Sequence, residues 1–106
     1  MFKMMMDNNA QAERIVITLQ GEIDISSAPE FKAELYEMVG DGQKDIALYC
    51  SDLSYIDSTG LGILVGALKR VKSHQKNVYI YQLRENIRKL FHITGLDRVF
   101  ILEEPV

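Results

Sequence analysis

The chain has 106 residues, 47 % of them hydrophobic and 25 % charged, with a formal net charge of −3. This length and balance predict one ordinary soluble domain around one core and exclude a disordered chain. The acidic balance argues against wholesale nucleic-acid binding, because a surface that tracks phosphates makes a small domain basic.

In chain order, the opening MFKMMMDNNAQAE lacks the apolar region and small-residue cleavage site of a signal peptide. FKMMM reads as a short edge strand, with DNNAQAE as the polar connection to the next element. RIVITLQGEI is rich in β-branched residues and closed by Gly21, which predicts a strand. SSAPEFKAELYEMV predicts a helix, with Ser26 or Ser27 as N-cap, Pro29 in the first turn and Glu30 at the positive end of the dipole. Phe31, Leu35, Met38 and Val39 fall on one face of it, Lys32, Glu34 and Glu37 face water, and Gly40 and Gly42 end it.

DIALYC is a near-continuous apolar run, as expected of a strand covered on both faces. The single Cys50 at its end cannot form an internal disulfide, which fits a reducing compartment and a small apolar core residue. GLGILVGALKRVKS predicts a second helix with Leu61, Leu64, Val65, Leu68 and Val71 inward, and Lys69, Arg70, Lys72 and His74 towards its negative end. NVYIYQL reads as a strand and ENIRKLFHITG as a third helix, with Ile87, Leu90 and Phe91 inward and Gly95 just past its end. RVFILE supplies a last strand. No run approaches membrane-spanning length, so the expectation is a cytoplasmic protein without a membrane partner.

Strands alternating with helices imply right-handed crossovers and an α/β domain with a mixed sheet of four to five strands. The three helices are expected mainly on one face. Residues 1–106 form one domain, in which residues 1–13 make a short N-terminal strand and turn that pair antiparallel with the next strand.

One stretch fits neither a strand nor a helix interior. In YIDSTGLGIL, the polar Asp57, Ser58 and Thr59 lie between apolar runs and are followed at once by Gly60 and Gly62. The element order puts them where a central strand runs into a helix N-terminus, the usual place for ligand and partner sites in open α/β sheets. There the first helical N–H groups are free and the dipole favours negative charge. A purely structural reading also stands: Asp57 or Ser58 caps the helix, and the glycines permit close helix–sheet packing. It accounts for one capping residue but not for the whole cluster.

Three chemical readings compete. GLGILVG imitates a dinucleotide fingerprint, but its last glycine comes one residue late and the next strand ends in Gln82 instead of an acidic residue. A hydrolase nucleophile at Ser58 lacks the G-x-S-x-G elbow, because Ile56 stands at the first glycine position. It also lacks a base, with His74 at the far end of the second helix and His92 on the third. Neither reading brings a metal cluster, and no cofactor is expected. The third makes Ser58 a phospho-acceptor that switches a binding surface, since a phosphate adds about −1.5 to −2 charges. A separate kinase then does the chemistry, and the chain itself is not an enzyme.

DSTGLG, from Asp57 to Gly62, and GEIDISSAP, from Gly21 to Pro29, resemble the two hallmark motifs of the STAS domain, specifically of the bacterial anti-sigma factor antagonists. Element order and length resemble that family from Arg14 to Leu102. The resemblance implies that the unphosphorylated chain binds an anti-sigma factor that is also a serine kinase, which frees a sigma factor. It implies phosphorylation at Ser58, which ends the binding, and a PP2C-type phosphatase that restores it. Asp57 and Thr59 would flank the acceptor in the docking loop, Gly60 and Gly62 would let the partner's backbone approach, and Asp24 would contact the partner or shape the pocket. As an alternative, Asp24 caps the following helix. STAS-like domains also occur as small-molecule or nucleotide-binding signalling modules, a role for which Lys69, Arg70 and Lys72 are candidates beside their simpler fit to the helix dipole.

Overall fold

The computed structural model describes residues 1–7 and 13–103. Six strands and three helices alternate in it: β1 (Phe2–Asp7), β2 (Arg14–Ile23), α1 (Ala28–Val39), β3 (Asp45–Tyr49), β4 (Leu53–Ile56), α2 (Ser58–Lys72), β5 (Val78–Tyr81), α3 (Glu85–Ile93) and β6 (Ile101–Glu103). The sheet runs β1-β2-β3-β5-β6, with β4 paired to β2 off this path. β1 is antiparallel to β2 and the other pairings are parallel, so the sheet is mixed as expected. Part of the expected DNNAQAE connection, residues 8–12, lies outside the described residues.

The sixth strand is the difference from the expected four to five. Parallel register from Arg14 to Thr18 pairs β2 with β3, and from Gly21 to Ile23 pairs it with β4. The register shifts between Gly21 and Glu22, where Gly21 has φ 91° and a Cβ would stand 2.3 Å from the carbonyl oxygen of Met1. Only glycine fits there. The strand feeding the DSTG loop is therefore the short β4, bonded to the far half of β2, and not a long central strand.

Strand alternation puts Ile17 and Leu19, Ile46 and Leu48, and Val78 and Ile80 on one face of the sheet. These residues share one core with Phe31 and Leu35 of α1, Leu61, Leu64, Leu68 and Val71 of α2, and Ile87 and Phe91 of α3. The other face carries half-buried Thr18, Tyr49, Tyr79 and Tyr81. There Tyr49 and Tyr81 stack with centroids 4.7 Å apart, and Arg14 donates to the Tyr81 hydroxyl at 3.0 Å. Ala47 is buried even on this face, cross-strand from Val16 and Tyr79.

Two elements are shorter than their sequence patterns. β5 stops at Tyr81 because Gln82 takes φ 62°. RVFILE begins in a 3-10 turn over Leu96–Arg98, entered through Gly95 at φ 75°, so only Ile101–Glu103 pair as strand. Phe100, between turn and strand, packs edge-on against Phe91 with centroids 5.5 Å apart.

Candidate functional site at the carboxyl ends of β2 and β4

The site is built on the pairing of two strand ends. Ile23 and Ile56 are register partners, and the Asp57 N–H donates to the Ile23 carbonyl at 3.2 Å. Asp24 and Asp57 therefore leave the sheet from neighbouring positions, one leading into α1 and the other into α2. The two motifs, whose aspartates lie more than 30 residues apart in sequence, meet here.

Asp57 is the N-cap of α2. Its backbone is extended, its side chain accepts from the Gly60 N–H at 3.0 Å and its carbonyl accepts from Leu61 at 3.0 Å. Ser58 is the first residue of the helix and is exposed, as is Thr59. Among the described residues nothing hydrogen-bonds the Ser58 hydroxyl. It stands at the positive end of a 15-residue helix, beside the capping carboxylate.

The two glycines differ. Gly60 is buried against the sheet, and a Cβ on it would stand 2.6 Å from Ile56 Cγ1 and 2.9 Å from Ile23 Cγ2. Gly62 is exposed on the outer side of the same helix, and a Cβ there would meet nothing within 4 Å. Gly60 thus seats α2 on the two strand ends, and Gly62 leaves its outer face bare.

Asp24 is engaged in its own turn. Its Oδ1 accepts from the Ser26 hydroxyl at 2.6 Å, the Ser26 N–H at 3.0 Å and the Ser27 N–H at 3.1 Å. The Ser26 hydroxyl, then the Ser27 amide, hold the Asp24 carboxyl below the ordinary value of 3.8. Ser27 is the N-cap of α1 by position, but its hydroxyl accepts from the Asp24 N–H at 3.1 Å and makes no capping bond to the helix. Sequence reasoning named Ser26 or Ser27, and as an alternative Asp24, as caps; the Asp24 carboxylate instead holds the two serines in the turn that precedes the helix. That reasoning passed over Ile25, which is 74 % exposed in the middle of this turn.

The STAS domain family model matches residues 5–106. The chain belongs to the STAS domain family. It is 39 % identical over 88 residues to proteins named anti-sigma-B factor antagonist from Staphylococcus epidermidis and Staphylococcus aureus, which covers 83 % of this chain and 82 % of each relative. Among solved structures, an anti-sigma factor antagonist from Mycobacterium paratuberculosis superposes with a TM-score of 0.84 at 22 % identity, over 100 % of this chain and 88 % of that one. The Bacillus cell fate determinant SpoIIAA in its phosphorylated form superposes with a TM-score of 0.71 at 21 % identity, over 96 % of this chain and 92 % of that one. These two likenesses are likenesses of fold.

Elsewhere in this STAS domain, His74 lies beyond the C-terminus of α2, at the opposite end of the helix from Ser58. His92 is paired through Nδ1 with Asp97 Oδ2 at 2.5 Å, on α3. Neither histidine joins the serine. Arg70 donates to the Gly40 carbonyl at 2.9 Å and stacks over the Tyr36 ring at 4.8 Å, and Lys72 bonds Asn77 Oδ1. Two of the three cations of that half-helix are thus engaged in tying the fold. Cys50 is buried just past β3, and burial pushes its thiol up to about 12. No helix among the described residues is long and apolar enough to cross a membrane.

Proposed function

We propose that this chain is an anti-sigma factor antagonist switched by phosphorylation of Ser58. Unphosphorylated, it binds an anti-sigma factor that is also a serine kinase, and so frees a sigma factor. The kinase modifies Ser58 and the complex separates; a PP2C-type phosphatase restores the binding form. The chain supplies the acceptor and the docking surface, and the partner supplies the catalysis.

The observation that carries this reading is the state of Ser58: exposed, its hydroxyl without a hydrogen bond among the described residues, and fixed at the first position of a helix by its neighbour's cap. The names of relatives at 39 % identity support the same class of function. An acceptor hydroxyl must be accessible to a kinase and must not be needed by the fold, and Ser58 meets both conditions.

The energetics fit a switch that leaves the fold alone. The helix N-terminus stabilises an anion by about 0.3–2 kcal/mol, which accommodates a phosphate in the free protein. Against a packed partner the same dianion, beside the Asp57 carboxylate, costs several kcal/mol unless cations meet it. Each ~1.4 kcal/mol is tenfold in affinity. The reading is tested by incubating the purified chain with the anti-sigma kinase of its own genome and ATP, then mapping the modification. One phosphate on Ser58 is expected; no transfer, or transfer to another residue, contradicts it.

A further inference from the structure

The strand order of the sheet ends in two edges, and they differ. β6 is three residues long and offers little to pair with. β1 pairs with β2 in unbroken register from Phe2 to Asp7, and among the described residues its other side pairs with nothing. The alternation of hydrogen bonds decides what that side presents. Glu22 donates to the Met1 carbonyl at 3.0 Å, so Met1, Lys3, Met5 and Asp7 direct their backbone groups at β2, while those of Phe2, Met4 and Met6 point outward. The Gly21 amide, opposite Phe2, agrees: it turns away from β1 and donates to the Asp52 carbonyl at 2.9 Å. Side chains alternate as well. Phe2 lies edge-on to Phe31 and Met4 packs on the core, so Lys3, Met5 and Asp7 stand on the face of the sheet without helices. All three are exposed, and among the described residues neither charged side chain has a hydrogen bond or ion pair.

We infer that β1 is a self-association edge, on which a second copy of this chain pairs antiparallel about a twofold axis at Met5. The charges select this occupant and this register. A lysine alone on an edge guards against pairing, but here Asp7 follows Lys3 on the same face. Centred on Met5, an antiparallel ladder sets Lys3 directly against Asp7 of the second copy, and Asp7 against Lys3 of the second copy. The same centring sets Met4 against Met6 of the second copy. These are residues whose N–H and C=O point outward, so each such pair exchanges both backbone bonds. A ladder centred on Met4 keeps the bonds but sets Lys3 against Met5 and leaves the charges unmatched. A parallel copy in the same register sets like charges side by side. On the helix side, Met6 and Met38 line a cleft of about 340 Å³, rimmed by Glu34 and Glu37, which gives the unbranched side chain of Met4 of the second copy room. The pairing joins two six-stranded sheets into one. So short a ladder buries a small area, and the dimer belongs to the weak class. Ser58 lies outside this edge, which needs no anti-sigma factor and stands independently of the proposed switch.

The test is sedimentation equilibrium of the full chain from about 10 µM to about 1 mM, with circular dichroism confirming that each variant is folded. Wild type is expected to show a concentration-dependent monomer–dimer equilibrium. Met6→Pro removes an outward N–H and no bond to β2, so it is expected to stay monomeric. Lys3→Asp and Asp7→Lys each set like charges opposite one another, and each is expected to raise the dimer Kd about tenfold or more. Mixing these two variants restores opposite charges at every pair, so the mixture is expected to dimerise like wild type. The charge variants alter exposed groups only, so they read the edge even where Met6→Pro fails to fold. Met5→Cys places a thiol at the twofold axis, where the Cα atoms of a non-hydrogen-bonded pair lie about 4.5 Å apart. It is expected to form a disulfide dimer under mild oxidation, and Lys3→Cys is not. Wild type that stays monomeric throughout, or a dimer that folded Met6→Pro leaves intact, overturns the inference. A dimer indifferent to the charge variants, or cross-linked equally well through Lys3→Cys, overturns it too, because another surface or register then holds the copies.

Discussion

The backbone N–H of Asp57 donates to the carbonyl of Ile23 across 3.2 Å, where β2 and β4 end side by side. This bond brings two loops, distant in sequence, onto one surface. Beyond it the Asp24 carboxylate binds the turn into α1 and the Asp57 carboxylate caps α2. Both aspartates therefore have structural work, whereas the hydroxyl of Ser58, the first residue of the helix, makes no hydrogen bond among the described residues.

That division predicts the stability of two neighbouring variants. Ser58→Ala removes an exposed hydroxyl and leaves the cap in place, so its melting temperature should match wild type. Asp57→Ala removes the cap and should cost about 0.5–2 kcal/mol. For a domain of this size that is a drop of about 4–8 °C for each kcal/mol. Thermal unfolding of the pair decides it; equal losses in both would show that the serine shares the cap.

Gly60→Ala and Gly62→Ala should have opposite effects. The Cβ at Gly60 meets Ile56 and Ile23 at 2.6 and 2.9 Å and should destabilise by about 1–3 kcal/mol. The Cβ at Gly62 meets nothing and should stabilise the helix by about 0.4–1 kcal/mol. Denaturant unfolding of both variants reads the sign directly. If the partner's backbone approaches at Gly62, as the family resemblance implies, this more stable variant should bind its partner less well.

Much of this was legible in the sequence, and the limits have physical causes. The helices announced themselves by their 3.6-residue apolar faces, and Asp57, Ser58 and the glycines stood out as a polar break between core segments. β4 was hidden because LSYI has only four residues and its pairing depends on a register shift at Gly21 that no local pattern displays. The different duties of Gly60 and Gly62 follow from which side of α2 each occupies against Ile23 and Ile56, which a motif read as a string does not distinguish. Ile25 was passed over for the opposite reason: its exposure is a property of the Asp24 turn, and its residue type alone suggests core.

Acid should release the Asp24 turn late. Its carboxyl titrates below the ordinary 3.8 because the charged form accepts bonds from Ser26 and Ser27. A depressed folded value stabilises the fold above the unfolded value and loses that contribution as pH falls through the folded one. The amide resonances of Ser26 and Ser27 should shift together as the pH is lowered, with a midpoint below 3.8. A midpoint above 3.8 would contradict the turn described here.

Cys50 should behave as core and not as a reactive thiol. Burial raises its value from 9.0 to about 12, so the folded state keeps the proton that the unfolded state releases. The sign is the reverse of the aspartate's: this contribution is intact below 9.0 and declines as pH rises from there towards about 12. An aromatic disulfide reagent at pH 8 should label the thiol only at the rate of unfolding. Rapid stoichiometric labelling of folded protein would place the thiol at the surface.

The switch itself is tested most directly by one pair of titrations. Unmodified protein and protein phosphorylated to completion on Ser58 are each titrated by calorimetry with the anti-sigma factor of the same genome, with circular dichroism confirming that both are folded. The phosphate should weaken binding by about a hundredfold or more, since desolvating it beside Asp57 costs several kcal/mol, while the two dichroism spectra coincide. Equal affinity of the two folded forms would contradict the switch.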